Sequence, residues 1–560
     1  MVHQNEILQN KVFQLDQINK LHEKEMKNIN KGHEQEMKNK LQEMLSPFFT
    51  PGQVKLFMNP TQKITRWSLE DIAAAISLRS VSPKAYRYLR RTKKIPLPAL
   101  STLRKWVASF NLNEGILNDV MLIMKYKGEN MTELEKATVI CFDEIHLSNQ
   151  MAIERRQERV IGPHKKCQVV MARGLFKKWK QPVFYDFDQD LTKELLFKII
   201  VQLYNSGYTV FGMTCDLGPS NQNLIKHLKI NVMENEDETY FEHPCDENVK
   251  IHVFVDAPHL MKLLRNHFLD SGLHVNGHFV TSAALERLLQ INSGDLKIAF
   301  QLSRIHLDVQ GTQRQNVKLA IQIFSATNAS AIEWCGSRGF MDNCPEWVAT
   351  ATFLKMFNDW FDIFNSVCKY GNHPGRNGYG VNLVQQNNIL AKVTSTIKHM
   401  RVGSRQGLLP FQKGILICNS SLRNLYHDLK KKFNSEMSYI ITSRLNQDVV
   451  ENFFSYIRSM GATNDRPTAL DIRYRLRWYI LGKHSTDFFT QGSNTIAHDS
   501  TMDETCLTSG IDFDSNVMSP TDDDVEGNIG TITNFQDDLP DDCEANTFYD
   551  ENADCGKFIS

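Results

Sequence analysis

The chain runs to 560 residues, 41% apolar and 23% charged, enough for about three or four domains with cores of their own. No run nears the roughly 18 consecutive apolar residues of a membrane-spanning helix, and Met1–Asn10 lacks the apolar stretch of a signal peptide, so neither membrane insertion nor secretion is expected. The 64 bases and 64 acids cancel only in total: Ser485–Ser560 holds 18 acids and one base (net −17), so Met1–His484 carries net +17 and calls for a polyanionic partner, most simply nucleic acid.

Residues 1–45 are rich in Lys, Glu, Gln and Asn and contain no proline. Leu8, Val12 and Leu15, then Met26 and Ile29, then Met37, Leu41 and Met44 recur at three- and four-residue steps, interrupted by Asn19, His22 and His33. The segment reads either as a marginal coiled coil that joins two copies or as a solvated helix. Ser46-Pro47 ends it. Residues 46–130 read as short helices, with Thr50-Pro51 and Ser82-Pro83 as helix starts. Trp67, Leu69, Ile72, Ala75 and Ile76 make one apolar face; Tyr86, Leu89, Leu100, Leu103, Trp106 and Val107 make another. No acid lies between Asp71 and Glu114, whereas Arg79, Lys84, Arg87, Arg90, Arg91, Lys93, Lys94, Arg104 and Lys105 all do. Short helices with charge of one sign predict a helix-turn-helix-like DNA-binding domain.

From Lys136 the period becomes that of strands. Ala137–Asp143, Lys166–Ala172, Pro182–Phe187, Thr209–Asp216 and Ile251–Asp256 are apolar runs of strand length, with amphipathic helices predicted over 190–206, 220–228 and from Pro258 to Phe268. Three strands followed by alternating helices and strands predict a mixed α/β sheet with parallel pairs reached by helical crossovers. Residues 271–440 read as mainly helical, and Leu445–Arg458 as a further amphipathic helix. Beyond 485 the composition collapses to Asp, Ser, Thr, Asn and Gly, which predicts a disordered tail. Eleven cysteines scattered singly, with no Cys-x-x-Cys, fit reduced thiols in the cytosol or nucleus.

Asp143 and Asp216 sit at or near the C-terminal ends of predicted apolar strands, where α/β sheets gather their sites. A carboxylate there is costly to bury unless paired or bound to metal. Asp448 and Glu451, three residues apart on a helix, share a face and offer a third carboxylate. Such a set suits Mg²⁺; turn-forming or helix-capping aspartates give the same pattern, and Asp256 before Ala257-Pro258 is one such candidate cap.

The blocks Cys141-Phe-Asp-Glu-Ile145, Cys215-Asp-Leu-Gly-Pro-Ser-Asn-Gln222, Phe254-Val-Asp-Ala-Pro-His-Leu-Met-Lys-Leu-Leu-Arg-Asn266 and Thr442-Ser-Arg-Leu-Asn-Gln-Asp-Val-Val-Glu-Asn-Phe-Phe-Ser-Tyr-Ile-Arg458 resemble the P-element transposase family, which includes the THAP-domain-containing transposase-like proteins of animals. The resemblance spans about 50–480. It implies an RNase H-like core, 131–270 and 441–484, interrupted by a helical GTP-binding insertion, 271–440; the acidic tail at 485–560 is read from composition alone. It implies a metal triad of Asp143, Asp216 and Glu451, holding Mg²⁺ (or Mn²⁺), with Asp256 left structural or accessory. It implies nucleotide contacts from Phe361, Asp362 and Asn365, and more weakly from Val317, Lys318 and Asp448; the sequence has no P-loop. The activity implied is DNA cleavage and strand transfer in the nucleus by a homo-oligomer, a dimer or dimer of dimers, with GTP as assembly cofactor. Lys84, Arg87, Arg90, Arg91, Lys93, Lys94, Arg104 and Lys105 are the expected DNA contacts. A domesticated DNA-binding protein that no longer cuts is the alternative. No Cys precedes Cys141, so the zinc-coordinating THAP domain typical of the family is not expected; either the chain is an incomplete copy or targeting falls to residues 50–110.

Overall fold

The computed structural model describes residues 2–486 apart from 63–65, 111, 155–157, 236, 293–296, 372 and 461–465; the tail expected beyond 485 lies outside the described residues from Asp487 on. Two compact units are distinguished among the described residues, one up to Leu112 together with Arg473–Thr486, the other Asn113–Ile472.

The first unit begins with a single 44-residue helix, α1 (Val2–Leu45). Leu15, Met26, Ile29, Met37, Leu41 and Met44 are exposed along it. Four short helices follow: α2 (Pro51–Met58), α3 (Leu69–Val81), α4 (Pro83–Arg87) and α5 (Leu100–Ser109). Proline opens α2 and α4 as expected, because its missing N–H is one that a helix start leaves unpaired in any case. Ser68 caps α3 by accepting from the backbone N–H of Asp71, and Asp71 accepts in return from Ser68 N (2.7 Å) and from Gly52 N of α2 (2.9 Å). Only glycine fits at 52, since a Cβ there would stand 2.4 Å from an Asp71 oxygen. Ile72, Ala75, Ile76, Tyr86, Leu103 and Val107 form the core, whereas Leu69, in the first turn of α3, is exposed. α4 widens into a π-helical turn, Tyr88–Thr92. The C-terminal helix Ala469–Thr486 belongs to this unit from Arg473 on. Within the unit, Gly482 O accepts from Ser77 Oγ (2.8 Å) and the Trp478 ring lies under the Arg79 guanidinium.

The second unit starts with β1 (Gly115–Ile116) and α6 (Asn118–Gly128). These residues, read from sequence as part of the basic module, belong instead to this unit: β1 pairs with the Phe184–Tyr185 edge of the main sheet, and Tyr208 O–H donates to Met124 O (2.8 Å). The sheet continues with β2 (Ala137–His146), a small hairpin β3 (Ala152–Glu154) and β4 (Arg159–Ile161), then β5 (Lys166–Gly174) and β6 (Lys180–Phe187). Next come α7 (Lys193–Asn205), β7 (Thr209–Cys215), α8 (Pro219–His227), β8 (Tyr240–His243), β9 (Asp246–Val255) and α9 (Ala257–Ser271). The seven-stranded order is β1-β6-β5-β2-β7-β9-β8. β6, β5 and β2 are antiparallel neighbours, while β2, β7 and β9 run parallel. That is the RNase H-like arrangement, and all five expected strands lie in it.

The insertion holds β10 (Leu273–Val275), β11 (His278–Val280), α10 (Ala283–Ile291), α11 (Arg304–Leu307), α12 (Val317–Ile323), α13 (Ala326–Ser337), α14 (Trp347–Phe364), α15 (Leu383–His399), β12 (Arg401–Val402) and α16 (Pro410–Phe433). It is mainly helical as expected, with a small sheet β11-β10-β12 that the sequence reading lacks. α16 lies on β9, where Cys418 Sγ donates to Val255 O and Ser421 Oγ to Val253 O. The last helix of the core, α17 (Asp448–Ser459), starts three residues later than predicted.

Candidate active site

The site is built where the parallel strands end. Cys141 of β2 lies opposite Thr214 of β7, and two residues further along each chain come Asp143 and Asp216. Parallel neighbours stand about 4.8 Å apart, and the two carboxylates are near enough for Asp216 to act on Asp143. On the next strand Val255 pairs with Cys215, and Asp256 follows. Three adjacent parallel strands thus each deliver an aspartate to one edge.

Two further carboxylates, Asp448 and Glu451, reach this edge through Leu445-Asn446-Gln447. Thr214 Oγ1 donates to Leu445 O (3.0 Å), Cys141 Sγ to Asn446 O (3.3 Å), and Gln447 Nε2 to Phe142 O (2.6 Å). Gln447 N donates to Asp256 Oδ1 (2.7 Å). The residues two before Asp143 and Asp216 therefore hold the segment that starts α17, whose first turn carries Asp448 and Glu451. These bonds also explain the late helix start, since Asn446 and Gln447 are drawn onto the sheet.

The three aspartates are used differently. Asp256 is fully buried and spent inward, its Oδ2 accepting from His259 N (3.0 Å) and His259 Nδ1 (2.6 Å). Among the described residues Asp143 Oδ1 accepts only the N–H of Glu144, and Asp216 Oδ1 takes Gly218 N (2.9 Å) and Asn221 Nδ2 (2.6 Å). Burial pushes Asp143 up to about 7, and the Asp216 and Glu451 carboxylates add to the rise. Glu451, about half exposed, is also raised by burial and by Asp256; its nearest positive group is His259 Nδ1 at 4.0 Å. Burial pushes Asp448 to about 7, with Asp256 and Glu451 contributing. Burial opposes a charge on His259, yet its bond to Asp256 outweighs this and holds the imidazole up at about 9. Buried Lys262, one turn further along α9, is pulled below its ordinary value by desolvation, against the attraction of Glu451, Asp256, Asp216 and Asp143. His259, Lys262 and Gln447 are site residues that the sequence reading did not single out. The signal available was Asp256-x-x-His259 at a strand-to-helix junction, which places the histidine back over its cap.

Among the described residues no three His, Cys, Asp or Glu side chains are drawn together tightly enough to hold a metal ion as they stand. The donor chemistry nonetheless fits a hard divalent cation: the expected ligands are all carboxylates, and two of them have raised affinities for protons in part because they repel other acids at the site.

The nucleotide candidates divide between elements. Phe361 and Asp362 are buried near the end of α14, where Asp362 accepts from Arg376 Nε (3.1 Å) and Asn358 Nδ2 (3.1 Å). Burial raises Asp362 despite Arg376. Asn365 Oδ1 is buried with no hydrogen-bond partner among the described residues, so it remains open as an acceptor. Val317 and Lys318 lie in the first turn of α12, one helix length before Phe324, whose ring packs on Phe353 and Phe357 of α14. Asp448 sits across in the core. The two parts are stapled, because Thr442 Oγ1 accepts from Ser366 N (3.1 Å) and donates to Ile363 O (2.5 Å). In the first unit, Arg87, Arg90, Arg91 and Arg104 line one cleft of about 160 Å³, while Lys84, Lys93, Lys94 and Lys105 lie outside that lining.

A sheet of this order with acidic strand ends and a helical insertion before its last helix defines an RNase H-like protein of the transposase type. Family models match the chain in four places: a P transposase-like helix-turn-helix domain over 20–106, TNP-like RNase H N-terminal and C-terminal domains over 112–229 and 443–471, and a TNP-like GTP-binding insertion domain over 258–376. The Transposable element P transposase of Drosophila melanogaster is 40% identical over 446 residues, covering 79% of this chain and 58% of that protein. DNA transposase THAP9 of Homo sapiens is 27% identical over 443 residues, covering 72% of this chain and 47% of that protein. A solved structure, the Drosophila P element transposase strand transfer complex, superposes with a TM-score of 0.74 at 38% identity, covering 80% of this chain and 98% of that one. The chain belongs to the P-element transposase family, and it spans about half the length of these two curated relatives.

Proposed function

We propose that the chain is a DNA transposase of the P-element type, cleaving DNA and transferring strands in the nucleus, with Asp143, Asp216 and Glu451 as its metal-holding acids. The observation that carries this reading is the delivery of Asp143 and Asp216 by adjacent parallel strands to the edge where α17 brings Glu451. Bound there, Mg²⁺ or Mn²⁺ would activate the attacking oxygen and stabilise the leaving one, first for water at the element end and then for the freed 3′-OH. Around it the chain's own residues set the geometry. Gln447 fixes the entry to α17, and Asp256 keeps His259 charged. The imidazolium in turn lies 4.0 Å from Glu451 and offsets part of the repulsion among the acids.

GTP serves assembly, with Asp362 or Asn365 accepting from the guanine edge and Phe361, Val317, Lys318 and Asp448 completing the contacts. Lys84, Arg87, Arg90, Arg91, Lys93, Lys94, Arg104 and Lys105 neutralise DNA phosphates, which makes binding fall steeply with salt. The exposed apolar seam of α1 joins copies into a dimer or dimer of dimers. The test is cleavage of the flanking element's end DNA with Mg²⁺ and GTP. Cutting by the wild type and binding without cutting by Asp143→Ala support the reading; tight binding with no cutting under any divalent metal means that the chain is a domesticated DNA binder.

A further inference from the structure

One stretch of the first unit is rich in bases and free of acids. Nine bases and no acid lie between Asp71 and Glu114. Arg87, Arg90, Arg91 and Arg104 converge on the 160 Å³ cleft beside the start of α5, and none has a carboxylate partner among the described residues. The start of α5 adds to this, since Ala99 at its cap offers no side-chain acceptor to the first-turn N–H groups. The cleft is therefore built for an anion with several oxygens, and its planar guanidinium groups suit carboxylate as well as phosphate.

The same chain contains the missing charge. Residues 487–560 hold 18 acids and one base, nine of the acids concentrated in Asp522–Glu526 and Asp537–Glu544. This segment follows directly on the C-terminal helix, which ends within the basic unit. Gly482 is hydrogen-bonded to Ser77 of α3, and α3 passes through Ser82 straight into α4 with its Arg87. A chain of 74 residues can extend to about 250 Å, against a module only ~30 Å across, so every part of the arginine cleft is within reach.

We propose that the acidic segment 487–560 occupies the arginine cleft of α4 and α5 in the DNA-free protein and competes with DNA for it. The competition rests on the reading of this module as a DNA contact; the pairing of tail and cleft does not. Tethering gives an effective concentration on the order of 1 mM. A local dissociation constant of about 0.1 mM would then keep the cleft about nine-tenths filled and weaken DNA binding about tenfold. DNA opposes this with many phosphates at once, so the tail sets a threshold that dense, correctly placed phosphates overcome and scattered contacts do not. Both contacts weaken with salt.

The experiment compares the full chain with a full-length variant in which those nine acids are changed to amides, using fluorescence anisotropy of a labelled DNA duplex at ~50 mM and ~300 mM salt. In parallel, a labelled peptide of 487–560 is titrated onto the amide variant and onto the same variant carrying R87A, R91A and R104A. The expected result is DNA affinity about tenfold higher for the amide variant at low salt, converging with the wild type at high salt, and peptide binding that the arginine changes abolish. Equal DNA affinities overturn the competition. Failure of the peptide to bind, or binding unaffected by the arginine changes, overturns the site. If the peptide binds through these arginines while no form of the protein binds DNA, the DNA reading fails and the tail pairing stands.

Discussion

At the residue scale, the site separates acids that look alike in sequence. Asp143, Asp216 and Asp256 each follow an apolar run, but Asp256 spends both oxygens on Gln447 and His259 while Asp143 accepts only from its own neighbour. Exchanging Asp143, Asp216 or Glu451 for the amide is expected to lower DNA cleavage by about 10³ or more with DNA affinity nearly unchanged, measured under single turnover. The raised pKa of Asp143 has a consequence for the metal-free protein. An unfolded aspartate titrates near ~3.9 and Asp143 near about 7, so between these values the native state holds a proton that the unfolded chain has lost, and stability falls as pH rises through the window. Asp143→Asn should therefore stabilise the metal-free protein at pH ~8 by on the order of 1 kcal/mol, after allowing for screening by water. The gain should vanish near pH ~4. Thermal melts in chelator at the two pH values check this, and a constant difference would contradict it.

At the element scale, stability and function meet in the connection from the insertion to α17. Thr442 bonds Ser366 and Ile363 at the end of α14, and Gln447 bonds Phe142 and Asp256 on the sheet. Thr442→Val leaves Ile363 O in the last turn of α14 and Ser366 N just beyond it without the hydroxyl, and is expected to cost about 1–3 kcal/mol in urea unfolding. A change below about 0.3 kcal/mol would mean that the staple is not strained by its loss. The five main strands were legible in the sequence because each gathers mostly apolar residues over six to eight positions, and the aspartates could be placed because they lie at or near the ends of those stretches, although β2 itself runs past Asp143 to His146. β1, β8 and the β3–β4 hairpin were not, because two to four residues carry no readable period. The start of α17 was misplaced for a different reason: hydrogen bonds from Thr214 and Cys141, more than 200 residues away in sequence, override a local helical pattern. The role of Gln447 lies wholly in such long-range bonds, so nothing local marked it.

At the scale of the whole molecule, charge and nucleotide should each leave a signature. DNA affinity of the full chain should fall linearly on logarithmic axes with salt, and removing Arg87 or Arg91 should each reduce the slope by about one. GTP at 100 times its dissociation constant should stabilise the protein by about 2.7 kcal/mol. Asn365→Ala, which removes the orphaned acceptor, should weaken that stabilisation without lowering the melting temperature in the absence of nucleotide. The family and fold were legible from four ordered blocks; the chemistry now depends on whether three acids act as one site. The most direct measurement supplies a pre-cleaved element end with a free 3′-OH and follows its joining to target DNA with Mg²⁺ and GTP, for the wild type, Asp143→Asn, Asp216→Asn, Glu451→Gln and Asp256→Asn. The account predicts joining by the wild type, none by the first three variants although all bind the DNA end, and reduced but measurable joining by Asp256→Asn. Joining that survives in any of the first three would contradict it.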